Sequence, residues 1–171
     1  MGLDMYAYKV RADLVGDAQV DIEVEGKALL AAGFSKLDDE TFSALSQTEK
    51  QAYFARRDQA LDAVKEKGIL DTEFAYWRKF NNLHGWMERL YREKGGEKES
   101  FNCASVRLMP EDLDRLERDA KAGENLDPTA GFFFGGAEVL DQDDREDILE
   151  FVGRSREAIG FGFAILYDSW W

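Results

Sequence analysis

The two ends of the chain have the residue pattern of β-strands, whereas most segments between them have the pattern of helices. Residues Met1–Val10 alternate in side-chain character with a period of two and are rich in aromatic and β-branched residues, as is typical of a strand. Residues Phe161–Tyr167 have the composition of a second strand. We therefore predict an α+β fold, a small antiparallel or mixed sheet formed by terminal and central strands and covered on one face by about four helices. The two terminal strands are expected to be neighbours.

Capping signals place the predicted helices along the chain. Ser46 and Glu49 have the spacing of a capping box, and Gly68 suits a left-handed helix end. Pro110 suits the first turn of a later helix that ends at Gly123. The four predicted helices lie near residues 47–67, from Asp71 or Thr72 to Gly95, from Pro110 to Gly123, and near residues 142–159; central strands are predicted at Gln19–Val24 and Phe101–Met109.

Length and composition indicate one globular domain over residues 1–171, of which 44% are apolar. The sequence has neither a membrane-helix pattern nor a secretory signal, so we expect the cytoplasm of its host as the location. Cys103 is the single cysteine and His84 the single histidine, which excludes an internal disulfide and the usual structural zinc sites. We accordingly predict no metal, no cofactor and no catalytic residue.

Negative charge is concentrated in the C-terminal third of the chain. The formal net charge is −13, and residues 110–171 carry 16 acidic and 6 basic residues. This balance opposes direct binding to nucleic acid or to an anionic membrane and favours a basic protein as partner. The alternative is an acidic surface that serves only solubility. The predicted partner-binding carboxylates are Glu111, Asp112, Asp114, Asp141, Asp143, Asp144, Glu146, Asp147 and Glu150.

A second candidate site lies in the segment predicted to form the helix after Asp71 or Thr72. On a helix, Trp77, Asn81 and His84 share one stripe beside the apolar face. Such side chains can bind a ligand by stacking and hydrogen bonding, although a single histidine beside aromatic residues is commonly a satisfied boundary residue. The predicted aromatic-polar pocket comprises Tyr6, Trp77, Arg78, Asn81, His84, Phe133 and Trp170.

Several segments resemble a group of small, mostly uncharacterised proteins of bacteriophages and prophages. The segments are Met1–Tyr6, Tyr76–Asn81 followed by His84 and Trp86, Gly131–Gly135, and the Ser-Trp end. Residues 11–70 do not share the resemblance and are interpreted as a variable insertion. The resemblance implies a phage-type origin, and small acidic phage proteins are often inhibitors of bacterial defence, which is an analogy of size, charge and origin.

The leading hypothesis is a non-enzymatic inhibitor or modulator that binds a basic, nucleic-acid-handling defence protein, such as a CRISPR or restriction complex, through its acidic surface. The first alternative is a small-ligand-binding protein or enzyme that uses the aromatic-polar pocket. The second is a phage structural or assembly adaptor. The sequence does not predict the oligomeric state.

Overall fold

The structure is a computed structural model that describes residues 2–129 and 140–171. It contains a four-stranded antiparallel sheet with the strand order β2-β1-β4-β3, which confirms the predicted α+β class. The strands are β1 (Asp4–Arg11), β2 (Leu70–Arg78), β3 (Val106–Leu108) and β4 (Phe163–Trp170). The two terminal strands, β1 and β4, pair along their whole length, as expected.

Seven helices lie within the described residues. Four of them are long and correspond in number to the prediction, whereas α1, α2 and α3 have eight residues or fewer. None of the helices in the two described ranges is long and apolar enough to cross a membrane. The helices are α1 (Ala12–Val15), α2 (Val24–Ala31), α3 (Asp39–Ala44), α4 (Gln47–Glu66), α5 (Asn81–Glu93), α6 (Pro110–Ala122) and α7 (Gln142–Gly160).

Three of the predicted helices are confirmed by their caps. The Ser46 hydroxyl accepts the amide of Glu49 while the Glu49 carboxylate accepts the amide of Ser46, so the capping box begins α4. Pro110 opens α6, and Gly123 ends it in the left-handed conformation with φ 69°. Asp141 caps α7 through the amide of Asp144.

Both faces of the sheet carry helices, rather than the one face predicted. On one face, which we call the helical face, Met5, Ala7 and Tyr167 pack in a large core with side chains of α5, α6 and α7. On the other face, Val10 and Leu166 pack with residues of α1, α2 and α4. We call this second face the tyrosine face, because it also bears Tyr6, Tyr8 and Tyr76.

The predicted helix from Asp71 or Thr72 to Gly95 is wrong in its first part, since Leu70–Arg78 is strand β2 and only Asn81–Glu93 is helical. A bulge explains the error. The register between β1 and β2 shifts between Ala7 and Lys9, so the alternation along β2 is broken. Buried residues of β2 therefore fall at Leu70, Phe74 and Trp77, a spacing of four and three that imitates a helix.

The two predicted central strands are shorter than expected. Residues Gln19–Val24 form a single bridge, from Val20 to Val106, and Val24 already begins α2. The predicted strand Phe101–Met109 is reduced to β3, Val106–Leu108. At the other end of the chain, β4 extends through Trp170, which pairs with Asp4. The backbone of the terminal tryptophan segment is thus docked on β1, as predicted, although the Trp170 side chain is 55% exposed.

Candidate functional site

The residues of the predicted aromatic-polar pocket lie on both faces of the sheet. Tyr6 is on the tyrosine face, where its ring lies 5.3 Å from that of Tyr76. Trp77 pairs with Met5, the neighbour of Tyr6 on β1, and is therefore on the helical face. Trp77 and His84 are 8% and 1% exposed. Tyr6 lines a cavity of about 580 Å³, whereas Trp77 lines a different one of about 340 Å³, so the structure divides this predicted set.

His84 belongs to the buried core of the helical face. Its Nδ1 lies 2.8 Å from the Tyr167 hydroxyl and shares a hydrogen bond with it, and its ring stacks on Phe101 with the centroids 5.3 Å apart. Burial lowers the pKa of His84 to about 4 because the charged imidazolium is desolvated. The imidazole is consequently neutral at neutral pH and acts as a packed core group.

Three residues of the predicted aromatic-polar pocket, Trp77, Arg78 and Asn81, do line one cavity. It has a volume of about 340 Å³ and lies where the C-terminal end of β2 meets the starts of α5 and α7. Phe133 lies outside the described residues, together with the rest of the Gly131–Gly135 segment. The cavity is lined by Trp77, Arg78 and Asn81 from the predicted pocket, by Asp144 and Asp147 from the predicted acidic surface, and by Tyr76.

The predicted acidic residues of α6 are largely neutralised by cations of the same chain. Asp112 forms an ion pair with Lys94, and the Asp114 carboxylate lies 2.6 Å from Nη2 of Arg156. Glu111 is exposed. Asp112 and Asp114 of the predicted partner-binding set are thus paired within the chain, whereas Glu111 forms no ion pair with any described residue.

The acidic residues of α7 remain at the surface. Asp141 and Asp144 cap the helix, and Glu146 accepts a hydrogen bond from Gln142. Three more of the predicted partner-binding carboxylates are exposed and form no ion pair with any residue in the described ranges. We call these three residues the α7 acidic row: Asp143, Asp147 and Glu150.

A larger cavity opens on the tyrosine face, and we call it the tyrosine cleft. It has a volume of about 580 Å³, within the usual range for small-ligand pockets. Its floor is formed by Tyr6 and Tyr8 of β1 and Asp168 of β4, and its walls include residues 21–25 and parts of 98–105. The rings of Tyr6 and Tyr8 are 6.4 Å apart and nearly parallel.

Lys98 joins the two walls of the tyrosine cleft. Its Nζ lies 3.0 Å from the Asp21 carboxylate and donates to the Cys103 carbonyl at 2.7 Å. Asp21 also accepts a hydrogen bond from the Tyr91 hydroxyl at 2.8 Å. Asp21 and Cys103 have φ angles of 51° and 50°, an unfavourable backbone region for residues other than glycine that often occurs at functional sites. The walls are therefore held by specific polar contacts in a strained backbone.

Asp168 is the electrostatic centre of the cleft floor. Burial raises its pKa from 3.8 to about 6, although the Ser169 amide and the charge of Lys98 oppose the shift. Burial and the charge of Asp168 also raise the pKa of Tyr8, so that hydroxyl stays neutral. Asp168 is thus a partly desolvated carboxylate that is mainly ionised at neutral pH.

Sequence reasoning missed this cleft. Its chemical groups come from four distant parts of the chain, at Tyr8, Asp21, Lys98 and Asp168, and no local spacing connects them. The only available signal was the pairing of the terminal strands, which predicts that Asp168 lies near the tyrosines of β1. Among the described residues, no group of three His, Cys, Asp or Glu side chains could hold a metal ion.

Comparisons of the chain with models of protein families, with curated proteins and with solved structures give no match.

Proposed function

We propose that this protein is a non-enzymatic modulator that binds a basic, nucleic-acid-handling protein of a bacterial host through the α7 acidic row. The observation that carries the proposal is the exposure of three carboxylates without ion pairs on one helix face. Asp143, Asp147 and Glu150 are related by four and seven positions, which places them on the same side of α7.

The spacing of the row suits a surface rich in arginine and lysine. A helix rises about 1.5 Å per residue, so the second and third carboxylates stand about 6 Å and 10 Å along the axis from the first. A regular line of negative charge resembles the line of backbone phosphates that a nucleic-acid-binding protein surface binds. It also accelerates association with a basic partner.

The resemblance to phage proteins supports the choice of partner class. A small phage protein with a formal net charge of −13 fits an inhibitor of a defence complex that handles DNA or RNA, such as a CRISPR or restriction enzyme. The alternative of an assembly adaptor predicts a virion protein as the partner instead.

The proposal is tested by capture of partners from a bacterial lysate with the tagged protein, followed by affinity measurements on the purified pair. We expect the variant D143N/D147N/E150Q to bind the partner at least about tenfold more weakly. Its affinity should also change less when the salt concentration is raised from about 50 to 200 mM. The matched control is E40Q/D62N/E66Q, which neutralises three exposed carboxylates away from α7 and should retain the affinity.

An unchanged affinity and salt dependence in D143N/D147N/E150Q would overturn the proposed surface. Recovery of a virion component as the specific partner would overturn the modulator function and favour the adaptor.

A further inference from the structure

The tyrosine cleft contains a carboxylate that the protein itself leaves without a close cation. Asp168 Oδ1 accepts the amide of Ser169 at 2.7 Å, and no ion pair joins Asp168 to any residue of the described ranges. Lys98, the cation of the cleft whose charge acts on Asp168, is committed to Asp21 and to the Cys103 carbonyl. A desolvated carboxylate without an ion pair is unfavourable, and a cationic ligand would relieve this cost.

The charges around the cleft favour a cation over an anion. Glu23 and Glu73 line it and form no ion pair within the described part of the chain. Together with Asp168 they outnumber Lys65, the one cation of the lining that no ion pair engages there. An anion such as a phosphate would meet net repulsion at this site.

The floor of the cleft also supplies a flat apolar surface. Tyr6 and Tyr8 lie side by side with an angle of 19° between their rings. Ammonium and guanidinium groups are attracted to the faces of tyrosine rings. The alkyl carbons attached to these groups make favourable apolar contacts with the rings. The platform and Asp168 occupy adjacent strands, where Tyr6 is paired directly with Asp168.

We propose that the tyrosine cleft is a binding site for an organic cation, whose charged nitrogen group pairs with Asp168 while its carbon part lies on Tyr6 and Tyr8. The cation is either a free alkylamine or alkylguanidine, or the side chain of an arginine or lysine on a partner. This site is separate from the α7 acidic row and requires no contribution from it.

The test uses the intact protein and two small probes of matched shape. Butylguanidinium carries the charge, whereas butylurea has nearly the same size and no charge. We expect butylguanidinium to shift the NMR signals of residues that line the cleft and butylurea to have no effect. Asp168→Asn should weaken butylguanidinium binding at least about tenfold, since hydrogen bonds with two charged partners are the strong ones. Tyr6→Leu should weaken it severalfold.

Two controls separate this site from the proposed function. Asp62→Asn, an exposed carboxylate of α4, and D143N/D147N/E150Q should both bind butylguanidinium like the unmodified protein. Equal binding of the two probes, unchanged binding in Asp168→Asn, or no signal change within the cleft would each overturn the cation site.

A neutral pentapeptide with one central arginine distinguishes the sources of the cation. Binding of the peptide with loss in Asp168→Asn supports a partner side chain as the natural ligand. Binding of butylguanidinium without binding of the peptide supports a free small cation. Both results confirm the cation site, whereas the failure of both probes rejects it without affecting the α7 surface.

Discussion

Substitution of Asp168 by asparagine should stabilise the protein at neutral pH. The pKa of this carboxyl is raised from 3.8 to about 6 by burial in the cleft floor. A difference of about 2 pKa units corresponds to about 3 kcal/mol, the cost of ionising the group in the folded protein. Asparagine keeps an acceptor for the Ser169 amide and carries no charge, so we expect a gain of about 1 to 3 kcal/mol in the free energy of unfolding at pH 7.

The pH dependence gives the sign of the effect. Because the folded pKa of Asp168 is raised, its protonated form stabilises the fold below the unfolded pKa of 3.8, and this stabilisation is lost as the pH rises through about 6. The gain from asparagine should therefore be near zero at pH 4 and reach its maximum near pH 7. His84 has the opposite effect, because its lowered pKa of about 4 makes the fold lose stability as the pH falls below 6.5. Both proteins contain His84, so its contribution cancels from the difference.

The assay is urea unfolding followed by tryptophan fluorescence at several values between pH 4 and pH 7. Asp62→Asn serves as the control for the removal of one negative charge from a protein with net charge −13. A stability difference that does not change with pH, or a variant that is less stable than the original at pH 7, would refute the account of Asp168 as a desolvated carboxylate.

Three further substitutions test the packing, each by urea unfolding. Gly96→Ala should cost about 1 to 3 kcal/mol, because a Cβ there would lie 2.2 Å from the fully buried Tyr91 ring; a cost near zero would contradict the packing. Gly153→Ala should instead stabilise by about 0.5 to 1 kcal/mol, as it lies in exposed helix with nothing within 4 Å of the added carbon. Tyr167→Phe removes the buried hydrogen bond to His84 and should cost about 1 to 2 kcal/mol; an equally stable variant would show that this bond contributes nothing.

Elements with strong local signals were predictable from the sequence. The helix α4 has both members of its capping box, Ser46 and Glu49, and α6 has a proline at its start and Gly123 at its end. Strands β1 and β4 were predictable because the residues at both ends of the sequence have strand composition. In each case, information within a few residues determines the element.

Other features depend on tertiary contacts that no local pattern contains. The bulge in β2 places Leu70, Phe74 and Trp77 at helical spacing, so the sequence favoured a helix where the sheet requires a strand. The neutralisation of Asp114 by Arg156 joins residues 42 positions apart. The tyrosine cleft combines still more distant segments. The charged residues could therefore be counted from the sequence. The carboxylates that remain without an ion pair could not be identified from it.

Hydrogen–deuterium exchange of the protein with and without its captured partner tests most directly whether the partner binds the α7 acidic row. We expect complex formation to slow amide exchange in residues 141–150, which contain the α7 acidic row. We expect the α4 surface around Asp62 and Glu66 to exchange at the same rate with and without the partner. Slower exchange at the α4 surface with no change at the start of α7 would contradict binding through the α7 acidic row.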